Sequence, residues 1–147
     1  MSTSWNRRHP ALVPYTSDHH HGLAEARRLK LAAEGEGSDR VAGARAFAGF
    51  FRNDAARHFS DEESHLLPAL MNKGDEERAM MVKILVEHIE IRELVDELER
   101  DARAGDVEPR LMRRVAGAFT AHIKLEERQL FPMLQRVAPG VLDAILV

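Results

Sequence analysis

An ungapped internal repeat constrains this chain more than any other feature. His58-Phe-Ser-Asp-Glu62-Glu63-Ser-His65-Leu66-Leu-Pro68-Ala-Leu70 aligns on His122-Ile-Lys-Leu-Glu126-Glu127-Arg-Gln129-Leu130-Phe-Pro132-Met-Leu134, with six of thirteen positions identical. In an α-helix, residues four apart lie one above the other on one face. Each His-x-x-x-Glu therefore predicts a helix that projects an imidazole and a carboxylate side by side. A looser pair lies upstream, where Asp18-His19-His20-His21-Gly22-Leu23 resembles Glu87-His88-Ile89-Glu90-Ile91. Each half then reads as a helix bearing one His followed by a helix bearing His-x-x-x-Glu-Glu. A pseudo-twofold axis relating the halves makes these side chains converge.

The rest of the sequence fits a helical domain. Its 147 residues suffice for one core without staples. Ala, Leu, Glu and Arg are plentiful and nothing alternates with the period of a strand. Gly35-Glu36-Gly37-Ser38, Asn72-Lys73-Gly74-Asp75 and Ala104-Gly105-Asp106 break the chain, and Pro139-Gly140 ends the last long segment. The expected architecture is all-α: an antiparallel four-helix bundle in up-down-up-down order, with a short C-terminal helical tail. Residues 1–15 are expected as an N-terminal arm, since Pro10 and Pro14 oppose helix, and 16–147 as the domain. Ser17 is the expected N-cap of a first helix to about Glu34, and Asp39 that of a second to about Leu70. The third is expected over 76–103 and the fourth from Pro109 to about Val137. The apolar tail Val141–Val147 is expected to seal a bundle end or to form a homodimer contact.

Composition excludes several chemistries. Without cysteine there is no disulfide, thiolate nucleophile or thiolate-bound cluster, so any metal must be held by nitrogen and oxygen. A net charge of −3 with interspersed signs offers no footprint for nucleic acid. No apolar run approaches a membrane span, and the first residues lack the apolar stretch of a secretory signal. The cytoplasm is the expected compartment.

His58, Glu62, His122 and Glu126 are the expected metal ligands, joined by His88 on the stripe of Ile91, Leu94, Val95 and Leu98. In the first helix, His19 falls with Leu23, Ala26 and Leu29, and His20 with Arg27 and Leu31. The helical angle leans to His19, whereas the spacing around His88 favours His20. Glu63 and Glu127, about 100° round from Glu62 and Glu126, either bond the ligand imidazoles or sit in solvent. His65 aligns with Gln129, which points to a supporting or surface role. His21 is expected to be exposed. Tyr15, just ahead of the expected helix, either packs onto it or approaches the metal. Pro68 and Pro132, six residues after each Glu, are expected to bend the last turn. Imidazole and carboxylate without thiolate suit iron or manganese, and do not exclude zinc or copper.

Together, Asp18-His19-His20, His58-x-x-x-Glu62-Glu63…Pro68, Glu87-His88-x-x-Ile91 and His122-x-x-x-Glu126-Glu127…Phe131-Pro132 resemble the hemerythrin-like, or HHE cation-binding, family over about residues 16–136. The resemblance implies two iron ions with bridging carboxylates and an oxo or hydroxo bridge, manganese or zinc fitting less well. Two departures separate the chain from the oxygen carriers of that family. Arg92 stands where those carry a fifth His, and Glu126 lies four residues after the last His where they place an Asp at five. The four-His, two-Glu set is similar to bacterial di-iron proteins linked to nitric oxide stress and iron–sulfur repair, although the cysteine-bearing segment of those proteins is missing. The expected function is binding or sensing of dioxygen, nitric oxide or peroxide in a stress or redox role. The alternatives are a di-iron oxidoreductase acting on peroxide or nitric oxide, an iron-handling protein, and a metal-free helical module. The sequence names no electron donor.

Overall fold

The computed structural model describes residues 7–147, so the first six residues of the expected arm lie outside it. His9 Nδ1 accepts from the Ala11 amide at 3.0 Å and caps a single 3₁₀ turn, Pro10–Leu12. Helix α1 then runs Val13–Ala32, five residues earlier than a Ser17 cap would place it. Pro14 is tolerated because it falls in the first turn, where an amide hydrogen would have no intrahelical partner. Tyr15 is consequently part of the helix.

The second rod is one continuous path with two changes of pitch. Helix α2 spans Gly37–Phe50, a π turn covers Phe51–Ala55, and helix α3 spans Ala56–Asp61. A second π turn, Glu62–Leu66, and a 3₁₀ segment, Leu67–Leu70, complete it. Asp39 caps this rod from the third helical position, its Oδ2 accepting from the Glu36 amide at 3.1 Å, so it is not the N-cap residue itself. Helix α4 is the long one, Asp75–Ala104, and ends at Gly105, whose φ of +86° is a left-handed C-cap. Helix α5, Pro109–Leu125, passes through a π turn at Glu126–Leu130 into α6, Phe131–Val137. Helix α7, Pro139–Ile145, folds back, and its Leu142 is fully buried.

Neighbours in sequence are neighbours in space: α1 packs on α2 and α5, and α4 packs on α2 and α5. With short connections this is the antiparallel up-down-up-down bundle. The core divides into two apolar layers. One holds Ala26, Phe47, Phe51, Val95, Met112 and Phe119, the other Leu12, Leu66, Ile84, Leu130, Phe131 and Leu142. Helix α7 covers the second layer, and His9 Nε2 ties the segment ahead of α1 to it by donating to Asp143 Oδ1 at 2.8 Å. Among the described residues no helix is long and apolar enough to cross a membrane.

The prolines do more than bend the chain. Proline lacks an amide hydrogen and its ring crowds the carbonyl four residues back, so neither Pro68 nor Pro132 can continue a regular ladder. The helix widens just before each of them: Leu67 N–H bonds to Glu62 O, and Phe131 N–H to Glu126 O. Both π turns therefore start at the repeated Glu, a placement such turns often have at functional sites.

Candidate metal centre

Between the two apolar layers lies a polar one. His19, His58, Glu62, His88, His122 and Glu126 are the buried polar or charged side chains among the described residues, and both carboxylates are wholly buried. An isolated buried carboxylate is costly, so two of them facing four imidazoles must serve some compensation. The side chains form two clusters, His19–His58–Glu62–Glu126 and Glu62–His88–His122–Glu126, each with its donor atoms within 4.8 Å of one another. His20 and His21 are exposed and join neither, as does His65. Of the two first-helix candidates, then, the fold brings only His19 to the centre.

The glutamates belong to both clusters in a definite way. Glu62 Oε2 lies 2.9 Å from His58 Nε2 while its Oε1 lies 3.0 Å from His88 Nε2. Glu126 Oε1 lies 2.8 Å from His19 Nε2 while its Oε2 lies 2.9 Å from His122 Nε2. Each carboxylate thus presents one oxygen to each cluster, the disposition of a bridge between two ions. Three of these inward atoms, Glu62 Oε2, His122 Nε2 and Glu126 Oε2, have no hydrogen-bond partner among the described residues. Native proteins rarely strand buried polar atoms, and here the stranded ones share one focus. The donor set fits a pair of metal ions.

The outward nitrogens of the imidazoles are all engaged. Nδ1–H of His19 donates to Glu127 Oε2 at 2.5 Å, and that of His88 to Glu63 Oε2 at 2.7 Å. His58 Nδ1–H donates to Asp18 Oδ2 at 3.0 Å, and His122 Nδ1–H to Glu87 Oε1 at 2.8 Å. Each carboxylate fixes the tautomer that turns Nε2 inward, and it raises the basicity of that nitrogen. The two contacts within a half and the two that cross between halves obey the pseudo-twofold. Glu63 and Glu127 therefore bond imidazoles. The roles of Asp18 and Glu87 were not apparent from the sequence, although an acid immediately before the His of each first helix was a usable signal.

Without metal, charge is balanced by protons. Burial and the adjacent Glu126 push the Glu62 carboxyl well above its ordinary range. Burial acts on Glu126 in the same direction, but hydrogen bonding with Glu62 and the His122 imidazole outweigh it and hold Glu126 well below. Burial lowers His122, yet the Glu126 and Glu87 carboxylates bring it up to about 10. Tyr15 is edge-on to His58, with ring centroids 5.4 Å apart, and burial followed by the Asp61 and Glu62 charges pushes its phenol up to about 12.

A cavity of about 140 Å³ is lined by His19, His58 and His122 together with Asp18, Asp54, Arg57 and Asp61. His88 is fully buried under Phe59, whose ring stacks on it at 3.9 Å.

A four-helix bundle with two buried His/Glu clusters sharing two carboxylates is the architecture of a non-haem di-metal protein. The chain matches the Hemerythrin HHE cation binding domain over residues 13–134, and it belongs to that family. No curated protein and no solved structure was found to match it.

Proposed function

We propose that the chain is a di-iron protein that binds or senses a small ligand, dioxygen, nitric oxide or peroxide, in a redox or stress role. His19 and His58 would hold one iron and His88 and His122 the other, with Glu62 and Glu126 shared between them. An iron pair held this way supplies one-electron redox chemistry and coordination positions for a small ligand.

The cavity carries this reading. At about 140 Å³ it has room for roughly four or five water-sized molecules at about 30 Å³ each. Pockets for organic substrates run to about 300–1,000 Å³. Phe59, Phe119 and Ile123 wall the cavity with apolar surface. A small, weakly polar ligand suits such a passage, which touches imidazoles of both clusters.

Metal analysis of protein purified with iron is the first test, and a stoichiometry near two per chain is expected. The ferrous protein should then give a reversible spectral change with nitric oxide or dioxygen. Oxidation without any detectable adduct would overturn the binding role. Peroxide or nitric oxide turnover above that of free iron would move the assignment to an oxidoreductase.

A further inference from the structure

The two halves of the centre share a feature that the internal repeat does not encode. On one side Arg92 Nη1 donates to Glu63 Oε2 at 2.9 Å, and the same oxygen accepts from His88 Nδ1–H. The Arg92 guanidinium also lies over the Phe59 ring, 5.5 Å from its centroid, and Phe59 stacks on His88 with planes 5° apart. On the other side Arg8 Nη2 donates to Glu127 Oε1 at 3.2 Å and to the Glu127 carbonyl at 2.9 Å. Glu127 accepts from His19 Nδ1–H. The Arg8 guanidinium lies 5.3 Å from the Phe131 centroid, and Phe131 stacks on His19 with planes 12° apart.

Arg, Glu, His and Phe thus meet twice in the same relation. Their sequence origins differ. In the repeat Phe59 aligns with Ile123 and Phe131 with Leu67, and Arg8 and Arg92 occupy unrelated positions. The duplication of residues therefore does not account for the duplication of surroundings. The arrangement is also selective. Asp18, which holds His58, is largely exposed and has no arginine, and Glu87, which holds His122, has only Lys83 at 3.8 Å. Each cluster accordingly contains one imidazole whose carboxylate carries an arginine and one whose carboxylate does not.

We propose that Arg8 and Arg92 are positioning residues that tune the two irons separately, Arg8 through Glu127 and His19, Arg92 through Glu63 and His88. The physical chain is short. A carboxylate accepting from Nδ1–H pushes electron density onto the imidazole and strengthens Nε2 as a donor. A guanidinium on the same carboxylate withdraws part of that density. The flat stack holds the ring in plane, and the cation over the aromatic face adds to it. A weaker donor stabilises ferric iron less, so each arginine raises the reduction potential of its own iron and keeps it ferrous longer. Arg92, at the position of the carriers' fifth His, acts on that iron from outside the coordination sphere. The proposal rests on the di-iron reading above.

The test is made on the full chain loaded with ⁵⁷Fe, comparing wild type, Arg92→Gln, Arg8→Gln and Arg92→Lys. Mössbauer spectra of the oxidised proteins and a redox titration are the readouts. Arg92→Gln should shift one quadrupole doublet and Arg8→Gln the other. Both should lower the potential, because the imidazole freed of the arginine is the stronger donor and stabilises ferric iron more. Arg92→Lys keeps the charge and should recover most of the potential. Unchanged doublets and potentials in iron-loaded glutamine variants would overturn the proposal, as would an Arg92→Lys variant no better than Arg92→Gln. A glutamine variant that merely melts earlier, with both readouts unmoved, would make the arginines structural only. A failure of the di-iron reading is distinct, since the wild-type protein itself would then hold no iron pair.

Discussion

A ligating imidazole offers one nitrogen to a metal, and the fate of the other decides how well it does so. In this chain four carboxylates settle that question for four imidazoles, and none of the four need touch a metal. Replacing Glu87 by Gln keeps an acceptor beside His122 but removes its charge. Iron affinity should fall about tenfold, as loss of such outer partners usually costs 10–100-fold, and competition with a chelator of known affinity would measure it. His122→Ala removes a donor outright and should leave clearly less than two irons per chain. An unchanged stoichiometry in that variant would refute the cluster assignment. The inward residues were legible because i, i+4 spacing is a property of one helix. The outward ones were legible only in part: Glu63 and Glu127 stood as candidates to bond imidazoles, and Asp18 and Glu87 did not. Asp18 serves His58 and Glu63 serves His88, so each contact depends on which helix lies alongside and at what height. The choice between His19 and His20 shows the same limit, because one helical step separates a buried position from an exposed one and only packing decides between them.

Helix existence and order followed from breakers and periodicity, but pitch did not. Three π turns interrupt two of the rods, and two of these follow from a proline whose local consequence, a wider turn and not a simple bend, depends on neighbours holding the path straight. The first helix began earlier than expected for a related reason: Pro14 blocks a helix interior but not a first turn. Helix spacing gives a sharper test. Gly43 of α2 faces Ala32 of α1, and a Cβ there would stand 2.3 Å from the Ala32 Cβ. Neither atom can rotate away, so the helices must part. Gly43→Ala should destabilise by about 1–3 kcal/mol, the usual cost of overpacking, although alanine is intrinsically the better helix former. Gly117 of α5 is the control. An added Cβ there meets nothing within 4 Å, and Gly117→Ala should stabilise by up to about 1 kcal/mol. Urea denaturation of the metal-free proteins compares the two directly, and equal effects would mean that the α1–α2 approach is not tight.

At the scale of the whole molecule a polar layer is inserted between two apolar ones, and that costs stability which only a ligand returns. Iron bound to the folded chain at about a hundred times its dissociation constant should add about 2.7 kcal/mol. For a domain of this size that raises the melting temperature by roughly 5–10 °C, and a calorimetric scan with and without iron reads it. The convergence of these His and Glu side chains was legible in the internal repeat. The cavity was not, since Phe50, Phe59 and Phe119 come from separate segments and enclose space only once packed. If the layer exists for metal, removing its charges should help the empty protein. Replacing a whole buried ion pair by apolar side chains of similar volume is often neutral or stabilising by about 1–4 kcal/mol, whereas removing one partner alone costs about 3–5 kcal/mol. Glu62 and Glu126 are wholly buried and surrounded by imidazoles. His58→Leu/Glu62→Leu/His122→Leu/Glu126→Leu, which replaces both i, i+4 pairs whole, should therefore be at least as stable as wild type in the absence of metal, and its melting temperature should no longer respond to iron. A variant clearly less stable than the empty wild type would show that these pairs hold the bundle together by themselves. The polar layer would then be a structural network with metal as a secondary occupant.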